Sequence, residues 1–434
     1  MNDLINFFSL QDPNVRWVVL GVFLMCASSA VVGCFTLLRK RALVGDAISH
    51  AILPGVCLAF LITETKNPLF LLIGAFLSGW LGAFCVDIIT ARTKIKTDAA
   101  LGLVLSVFYG IGIVLLTAIQ NSGNAAQAGL DKFLFGKAAA LTQEDVLVYA
   151  CFSVVLMGIV ALYYHSFKLL SFDRAYAAAK GFPVARLETL LSVLTVVAIA
   201  IGIQAVGVVL MAALLITPAA AARYWTEHLG VMLVLSALFA ALSGIAGAYV
   251  SYTMPQMPTG PWIVMVLSFV ALVSVLMGRR KGVLAAYLLS LRNREKILRE
   301  NILKCLYHLG ETDGQFRANR TIDEILEKRP MQSANLKRGL KYLQLQRLVT
   351  RKDGQMALTE KGVEAGQRIT KIHRLWELYL TKYMDLPADH VHDDAEAIEH
   401  IITPELEKEL EHQLAYPVID PHDEPIPYKM DTEK

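Results

Sequence analysis

The stretch WIVMVLSFVALVSVLMGRRKG, residues 262–282, marks the place where the character of the chain changes. Before its end the sequence is apolar, since residues 1–278 contain only 12 acidic and 15 basic side chains. After it, residues 279–434 contain 26 acidic and 26 basic side chains, a composition usual for soluble proteins. A chain of 434 residues built this way is neither a single globular enzyme nor a disordered protein. The sequence therefore predicts a membrane part joined to a soluble part.

The apolar part contains seven long runs without Asp, Glu, Lys or Arg: residues 17–38, 47–63, 67–86, 99–130, 146–167, 189–222 and 228–278. Since about 20 apolar residues cross roughly 30 Å of hydrocarbon as a helix, these runs are long enough to span a bilayer. The last two runs exceed one helix each. Pro255, Pro258 and Pro261 divide the last run, and we place a break in the other near Gly202 and Gly207. The sequence predicts an all-α polytopic membrane domain of about nine transmembrane helices.

The positions of lysine and arginine give the orientation, because basic residues in short loops stay on the cytoplasmic side of a membrane. The basic clusters are Arg39–Arg41, Arg92–Lys96, Lys168–Arg186, Arg223 and Arg279–Lys281. Nine spans place every cluster on one side, whereas eight spans put Arg223 and the whole soluble part on the other. We therefore expect an extracytoplasmic N-terminus and a cytoplasmic soluble part.

One polar pair lies at the start of the second apolar run. In GDAISHAILPG, residues 45–55, Asp46 and His50 are four residues apart, which places both side chains on one face of a helix. Ionisable groups at membrane depth are costly and usually line a polar path, and a carboxylate with an imidazole binds divalent cations. Spacing alone leaves the alternative that Asp46 caps the helix at the membrane surface and that His50 packs against a polar neighbour.

Together with three further motifs, this stretch resembles the integral-membrane permeases of metal-ion ABC transporters that serve manganese, zinc and iron uptake. The further motifs are FLFG at 133–136, FDRA at 172–175 with AKG at 179–181, and QAVG at 204–207 running to ITPAAAA at 216–222. The resemblance covers roughly residues 10–280. It implies that Asp46 and His50 lie on the path of the metal. It also implies that residues 172–187, with Asp173, Arg174, Ala175 and Gly181, form the cytoplasmic coupling helix that contacts an ATPase subunit.

The chain is not expected to be an enzyme, because the phosphate-binding pattern GxxxxGK[ST] is absent from its sequence and no bound nucleotide is expected. The resemblance implies its partners: an ABC ATPase subunit, a second permease subunit, the same or homologous, and an extracytoplasmic metal-binding protein. It also implies contact with the lipid of a bacterial plasma (inner) membrane.

The soluble part has the pattern of two small domains. The predicted segments are a basic linker at 281–295, helices at 296–309, 321–327 and 333–346, and two short strands around Asp353-Gly354. Thr321 and Glu324 form a capping box at the second helix. Three helices and a hairpin predict a winged helix-turn-helix over 296–362, followed by a helical metal-binding and dimerisation domain with a polar tail over 363–434.

Five basic residues of the winged helix suit phosphate contacts around a major groove. They are Lys337, Arg338 and Lys341 on the third helix and Arg351 and Lys352 on the wing. Two alternatives stand beside DNA binding: a solvated charged face, and a winged helix that serves only to join proteins. Gly339 inside the third helix weakens the helix prediction.

Imidazole and carboxylate side chains recur at four-residue spacing in the last domain. The pairs are His373 and Glu377, His392 and Glu396, and Glu396 and His400, with Glu399 adjacent to His400. Such mixed donors suit manganese or ferrous iron. Each pair alone is equally well explained as part of a solvated helical surface.

Residues 296 to about 427 resemble the iron- and manganese-dependent repressors of the diphtheria-toxin-repressor type, on the motifs LTEKG at 358–362, HRLWE at 373–377, VHDDAEAIEH at 391–400 and DPHDEPIP at 420–427. The resemblance implies a set of metal ligands: His373, Glu377, His392, Glu396, Glu399 and His400. Asn301 and Lys304 stand where manganese-type members have acidic ligands. A lysine there repels a cation, so one of two metal sites is expected to be rearranged or lost.

The sequence thus predicts a permease subunit for the import of manganese, iron or zinc with a fused metal-sensing domain, the metal being both substrate and regulatory ligand. Two roles stay open for that domain: it reports cytosolic metal to the transporter, or it represses genes at operator DNA, tethered or after proteolytic release. The competing interpretation is a secondary metal transporter, or another membrane protein, whose winged helix serves only for protein contacts. It predicts metal uptake without an ATPase partner.

Overall fold

The computed structural model describes residues 6–428 except 66, 122–140, 209, 255–256, 385 and 388–390. The chain divides into two compact units, Met1–Ala286 and Tyr287–Lys434. The motif FLFG at 133–136 lies outside the described residues, and so do the side chains of Gln204 and His392.

Among its described residues, the regular structure of the first unit consists of helices. They are α1 (Pro13–Leu38), α2 (Val44–Thr63), α3 (Pro68–Arg92), α4 (Thr97–Gln120), α5 (Gln143–Leu162), α6 (Tyr164–Phe172), α7 (Arg174–Ala179), α8 (Val184–Val206), α9 (Met211–Arg223), α10 (Leu229–Thr253) and α11 (Thr259–Met277). Within the described residues, eight of them are long and apolar enough to cross a membrane, and α9 is a shorter apolar helix of 13 residues. The polytopic all-α fold is therefore confirmed, with one of its apolar helices short.

Both breaks predicted inside the longest apolar runs are present. α8 ends at Val206, and Gly207 has a φ of 88°, a conformation that glycine adopts readily. Gly202, the other predicted break point, lies inside α8. Non-helical backbone at membrane depth is tolerated where protein surrounds it, and Val206 and Val208 are 0% and 1% exposed. The second break separates α10 from α11 at the proline-containing segment.

Small residues bring the membrane helices into backbone contact. A Cβ on Gly55 of α2 would lie 2.0 Å from the carbonyl oxygen of Gly74 on α3. The hydroxyl of Ser78 donates a hydrogen bond to the carbonyl of Ala51 at 2.6 Å in the same interface. Lipid tails are as apolar as the helix surface, so the hydrophobic effect does not drive membrane helices together. Close packing and interhelical hydrogen bonds do so instead. These contacts fix α2, which carries the polar pair, against α3.

The soluble part contains α12 (Val283–Asp313), α13 (Ile322–Lys328), α14 (Ser333–Leu345), β1 (Val349–Lys352), β2 (Gln355–Leu358), α15 (Glu360–Met384), α16 (Val391–Ile398), a 3-10 turn (Glu399–Ile401) and α17 (Pro404–Gln413). The predicted helices and hairpin are confirmed. One boundary differs, because α12 begins at Val283 and the predicted linker is therefore mostly helical.

Local chemistry explains the winged helix-turn-helix. The hydroxyl of Thr321 accepts a hydrogen bond from the backbone N–H of Glu324, which caps α13. The strands pair antiparallel around a turn in which Asp353 and Gly354 have φ of 50° and 80°. A Cβ on Gly339 would lie 2.4 Å from Cδ1 of Ile302, so the glycine lets α14 pack closely on α12.

Candidate metal sites

The polar pair of the membrane unit lies in the first two turns of α2, on one helix face as predicted. Oδ1 of Asp46 is 3.5 Å from Nε2 of His50, and the two side chains are 40% and 15% exposed. The His50 ring meets Tyr109 of α4 edge to face, with ring centroids 4.7 Å apart. α2 begins after Leu43 with no side-chain cap hydrogen bond, so Asp46 is not its capping residue.

His50 has an unusual nitrogen. Its Nδ1 is buried and has no hydrogen-bond partner in the described part of the chain. A buried polar atom without a partner is costly and points to a ligand, and neutral imidazole nitrogen is a common metal ligand. Among the described residues, Asp46 contacts His50 and forms no ion pair with a lysine or an arginine. Oδ1 of Asp46 and Nε2 of His50, which face each other at 3.5 Å, therefore offer one oxygen and one nitrogen donor to a cation.

The predicted coupling segment forms a short helix and two turns. α7 spans six residues because Asp173 caps it, accepting a hydrogen bond from the N–H of Tyr176 at 2.8 Å, and because Gly181 follows with a φ of 81°. Arg174 lies 3.1 Å from Glu188, which also contacts Arg39. The helix is therefore shorter than the range 172–187 that the sequence predicted.

This corner presents an aromatic surface. Phe172, Tyr176 and Phe182 are 62%, 49% and 37% exposed, and Ala175 between them is also exposed. Exposed aromatic groups on a firmly capped turn suit docking of another protein.

In the second unit, Tyr287–Lys434, which we call the soluble unit, His373 and Glu377 lie on α15 and are buried. Nε2 of His373 is 3.0 Å from Oε1 of Glu377, and Nδ1 of His373 is 2.5 Å from Oε2 of Glu399. Burial lowers the pKa of His373, but the hydrogen bonds with the two carboxylates outweigh it and raise that pKa above its usual value. A carboxylate that orients one imidazole nitrogen is the arrangement found behind metal-bound histidines.

Two cationic side chains enter the second group of predicted ligands. Nζ of Lys304 is 3.0 Å from Oε2 of Glu399 and 4.0 Å from Oε1 of Glu396. Arg329 donates two hydrogen bonds to Glu396, at 2.9 and 3.1 Å. Burial raises the pKa of Glu399, but the hydrogen bond from His373 and the Lys304 ammonium outweigh it, so the pKa lies below its usual value. Glu399 is therefore an ionised carboxylate whose counter-charge is a lysine.

His400 completes this group through a residue that sequence reasoning missed. Its Nδ1 is 2.7 Å from Oε2 of Glu300, and its backbone carbonyl accepts a hydrogen bond from Lys296 at 2.6 Å. The sequence gave only a weak indication of Glu300: it lies four residues after Lys296 on α12, a spacing that predicts a pair between these two but no contact with His400. Asn301, the next residue, has a buried Oδ1 without a hydrogen-bond partner within the described residues.

The two groups differ in how well they fit a metal ion. No three His, Cys, Asp or Glu side chains among the described residues are arranged to hold one. Glu377 and, once its Nε2 has lost its proton, His373 would supply two donors without a lysine or arginine between them among the described residues, and His392 lies on the neighbouring α16. Glu396, Glu399 and His400 do not fit an added ion, because Lys304 and Arg329 already neutralise the two carboxylates.

The five candidate DNA contacts are on the surface. Lys337, Arg338 and Lys341 are exposed on α14, and Arg351 and Lys352 are exposed on β1. Their exposure is compatible with phosphate binding and with a solvated face.

The chain matches two family models. Residues 11–278 match the ABC 3 transport family. Residues 359–428 match the metal binding and dimerisation domain of iron dependent repressors. Both ranges agree with the resemblances inferred from the motifs.

Individual relatives agree with these matches. The manganese transport system membrane protein MntC of Bacillus subtilis is 41% identical over 384 residues, covering 88% of this chain and 87% of that protein. The zinc transport system membrane protein TroC of Treponema pallidum is 47% identical over 300 residues, covering 69% of this chain and 99% of that protein. Among solved structures, PsaBC from Streptococcus pneumoniae in complex with Fab aligns with a TM-score of 0.58 at 29% identity, over 64% of this chain and 97% of the matched chain.

Proposed function

The chain belongs to the ABC 3 transport family, and from that premise we propose that it is the permease subunit of an ATP-driven importer of manganese, iron or zinc. ATP is hydrolysed on a separate ABC ATPase subunit, and an extracytoplasmic binding protein delivers the ion. A relative is named for manganese transport and another for zinc transport, which supports a divalent transition metal as substrate.

The observation that carries the proposal is the pair on α2, whose imidazole Nδ1 is buried without a hydrogen-bond partner in the part of the chain that the structure describes. An ion leaving water needs replacement ligands, and Asp46 and His50 offer one charged oxygen and one neutral nitrogen on the same face. Two donors bind more weakly than a complete tetrahedral or octahedral site. Weak, partial ligation suits a substrate that must leave again.

Uptake by purified complexes tests this role. The permease and its ATPase subunit are reconstituted in proteoliposomes, and ATP-dependent manganese and zinc uptake is measured for Asp46→Ala and His50→Ala. We expect uptake to fall at least about tenfold for each, since each removes one metal ligand. Asp87→Asn is the control, because Asp87 is a half-exposed acid on α3 that contacts Arg41. Unchanged uptake in both test variants would remove these residues from the pathway.

The proposed orientation uses nine crossings: the eight long apolar helices supply eight of them, and α9 supplies the remaining one, the seventh in chain order. At 1.5 Å per residue its 13 residues extend only about 20 Å, so the preceding segment supplies the remaining depth. This arrangement leaves the basic loops, α7 and the soluble part in the cytoplasm of a bacterial cell. The membrane is the plasma (inner) membrane.

α7 is proposed as the contact with the ATPase subunit, through Phe172, Tyr176 and Phe182. Tyr176→Ala removes an exposed aromatic ring. The hydrogen bond that caps α7 uses the backbone N–H of residue 176 and is therefore kept. Stimulation of ATP hydrolysis by the permease is expected to fall several-fold, with α7 intact because Asp173 still caps it. Asp173→Ala is the comparison variant, since it removes the cap itself and costs about 1 kcal/mol of helix stability.

The soluble part is proposed to be a metal-responsive regulator that binds its ion through His373, Glu377 and His392. His373 and Glu377 on α15, with His392 on α16, are the residues that would hold the ion, which would supply positive charge at that position when bound. Within the chain, Glu399 orients the His373 ring, and burial of both side chains excludes water from the pair. Loss of manganese-induced protection of α16 from hydrogen exchange in His373→Ala is the expected result, and unchanged protection would contradict it.

We propose operator DNA as the target of this regulator, with the five exposed basic residues as its phosphate contacts. The full chain in nanodiscs is titrated with DNA, and the triple variant Lys337→Ala, Arg338→Ala, Lys341→Ala is compared with it. Each phosphate contact removed lowers the slope of log affinity against log salt by about 0.9. An unchanged slope leaves the alternative role, reporting metal to the transporter, as the function of the domain.

The competing hypothesis is a secondary transporter. Whether metal uptake requires ATP distinguishes it from the ATP-driven importer. Metal uptake by the chain alone, without an ATPase subunit or ATP, would establish it. Strict dependence on both supports the proposal.

A further inference from the structure

A lysine ammonium lies among the residues that the repressor resemblance assigns to a metal ion. Lys304 on α12 is 3% exposed, and its Nζ is 3.0 and 3.3 Å from the two carboxylate oxygens of Glu399. The same Nζ is 4.0 Å from Oε1 of Glu396. The 3.0 Å contact is a charge-assisted hydrogen bond, so Glu399 holds the ammonium, whereas Glu396 at 4.0 Å adds only a longer electrostatic contact.

The second acid also has its own cation. Arg329 binds both oxygens of Glu396 in a two-pronged arrangement at 2.9 and 3.1 Å. Two carboxylates thus meet two cationic side chains, and the charge of the cluster is balanced by the protein alone. A divalent ion placed there would bring surplus positive charge into a buried region where it is poorly screened.

His400 faces carboxylates with both ring nitrogens. Nδ1 is 2.7 Å from Oε2 of Glu300, and Nε2 is 3.6 Å from Oε1 of Glu399. Each of the three predicted ligands, Glu396, Glu399 and His400, therefore has a partner within the protein.

We infer that the Lys304 ammonium replaces the divalent ion at the position formed by Glu396, Glu399 and His400. This part of the soluble unit is consequently assembled at every metal concentration. A regulatory ion then acts only through His373, Glu377 and His392, a consequence that rests on the proposed sensing role. The replacement itself rests on the geometry around Lys304.

The replacement also prepares the remaining site. Glu399 contacts Lys304 with both oxygens, and its Oε2 contacts Nδ1 of His373. The ammonium therefore fixes the carboxylate that orients the His373 imidazole toward Glu377. Outer contacts of this kind commonly change metal affinity by about 10- to 100-fold when removed. A tethered cation thus does permanently what a first bound ion would do only when metal is present.

Metal counting on the full chain tests the inference. The chain is placed in nanodiscs with His50→Ala, so that the pathway pair does not contribute, and is dialysed against manganese before elemental analysis. Adding Glu396→Gln is expected to leave the ion count unchanged. Adding Lys304→Glu is expected to raise it by about one ion per chain, because an acidic donor replaces the ammonium.

Combination variants identify where the gained ion binds. Glu396→Gln in the Lys304→Glu chain is expected to cancel the gain. Glu311→Gln in that chain is the matched control and is expected to keep it, because Glu311 contacts Arg374 and His308 instead. The inference is overturned if Lys304→Glu folds and gains no ion, or if Glu396→Gln removes an ion from the chain that retains Lys304.

Two further arms keep the outcome readable. If Lys304→Glu does not fold, the test rests on the ion count of the Glu396→Gln chain that retains Lys304. An unchanged count supports the replacement, and the loss of an ion overturns it. His373→Ala reports separately on the proposed sensing role, since an unchanged ion count there contradicts that role and leaves the Lys304 comparison standing.

Discussion

The two imidazole and carboxylate clusters of this chain use the same residue types in opposite charge environments. In the membrane unit, Asp46 contacts His50, and within the described residues it has no lysine or arginine partner. In the soluble unit, Glu399 contacts Lys304 and Glu396 contacts Arg329. Residue type and helical spacing do not distinguish a path for a cation from a cluster that holds its own cation. The two are distinguished by whether a lysine or arginine side chain contacts the carboxylate.

The largest expected effect comes from placing a lysine ammonium in the proposed pathway, as Lys304 is placed in the soluble cluster. Asp46→Lys places an ammonium beside His50, where it repels a passing dication at short range. Metal uptake is expected to fall at least about 100-fold, further than with Asp46→Asn, which only removes a ligand. Asp87→Lys, at the half-exposed acid on α3, serves as control and is expected to retain most uptake. Equal uptake by Asp46→Lys and Asp46→Asn would mean that charge does not matter there.

The reverse change removes the cation from the soluble cluster. Lys304→Met leaves the Glu399 side chain, which is 0% exposed, without its ammonium and is expected to destabilise the soluble unit by about 3–5 kcal/mol. Pulse proteolysis in urea measures this loss. Arg329→Met is expected to cost about 1 kcal/mol, because Glu396 is 30% exposed and water compensates. The double variant Lys304→Met, Glu399→Gln is expected to recover much of the loss, and no recovery would contradict the pairing.

Helix contact in the membrane unit positions the proposed pathway pair, Asp46 and His50. Gly55→Ala places a methyl group against the backbone carbonyl of Gly74, so α2 and α3 must separate, at a cost of about 1–3 kcal/mol. The thermal midpoint and metal uptake are both expected to fall. Gly110→Ala on α4 has nothing within 4 Å of the new carbon and is expected to leave both unchanged or slightly improved. A Gly55→Ala chain as stable and active as the parent would show that this contact is dispensable.

A third charged cluster, around Arg374, is expected to affect acid stability and not metal binding. Burial raises the pKa of Glu311, but hydrogen bonds with His308 and Arg374 outweigh it and hold the pKa below the ordinary 4.5. Because the folded-state pKa is the lower one, this stabilisation is complete above the ordinary value and is lost as the pH falls through the folded value. Glu311→Gln is expected to cost about 1.5 kcal/mol near neutral pH.

The difference between Glu311→Gln and the parent chain is expected to shrink below about pH 4. Denaturation measured across a pH series reports it. Glu364→Gln, at an exposed acid on α15, provides the baseline. A stability difference that is independent of pH would show that the carboxylate is not the group responsible.

Much of the fold could be predicted because the decisive signals are local. Hydropathy located the membrane helices, Pro258 lies directly before the start of α11, and Asp353-Gly354 marked the hairpin turn. The short α7 could not be delimited, because its ends depend on a side-chain cap and on the positive φ of Gly181. The start of α12 was missed because its first turns are basic and apolar, a composition that also suits a linker.

The candidate sites were predictable only in part. Four-residue spacing correctly put Asp46 beside His50 and His373 beside Glu377. The sequence predicted that Lys304 repels a cation, but it did not predict which carboxylates pair with the two cationic side chains. Glu399 is 95 residues from Lys304 in the chain, and Glu396 is 67 residues from Arg329. Contacts at such separations arise from tertiary packing, and sequence spacing carries no record of them.

Pulsed electron paramagnetic resonance of manganese bound to the full chain, with ¹⁵N-labelled histidine and a His373→Ala background, tests the contrast between the two clusters most directly. A histidine coupling is predicted that disappears in His50→Ala and persists in His400→Ala. A coupling that survives in His50→Ala and disappears in His400→Ala would contradict the account.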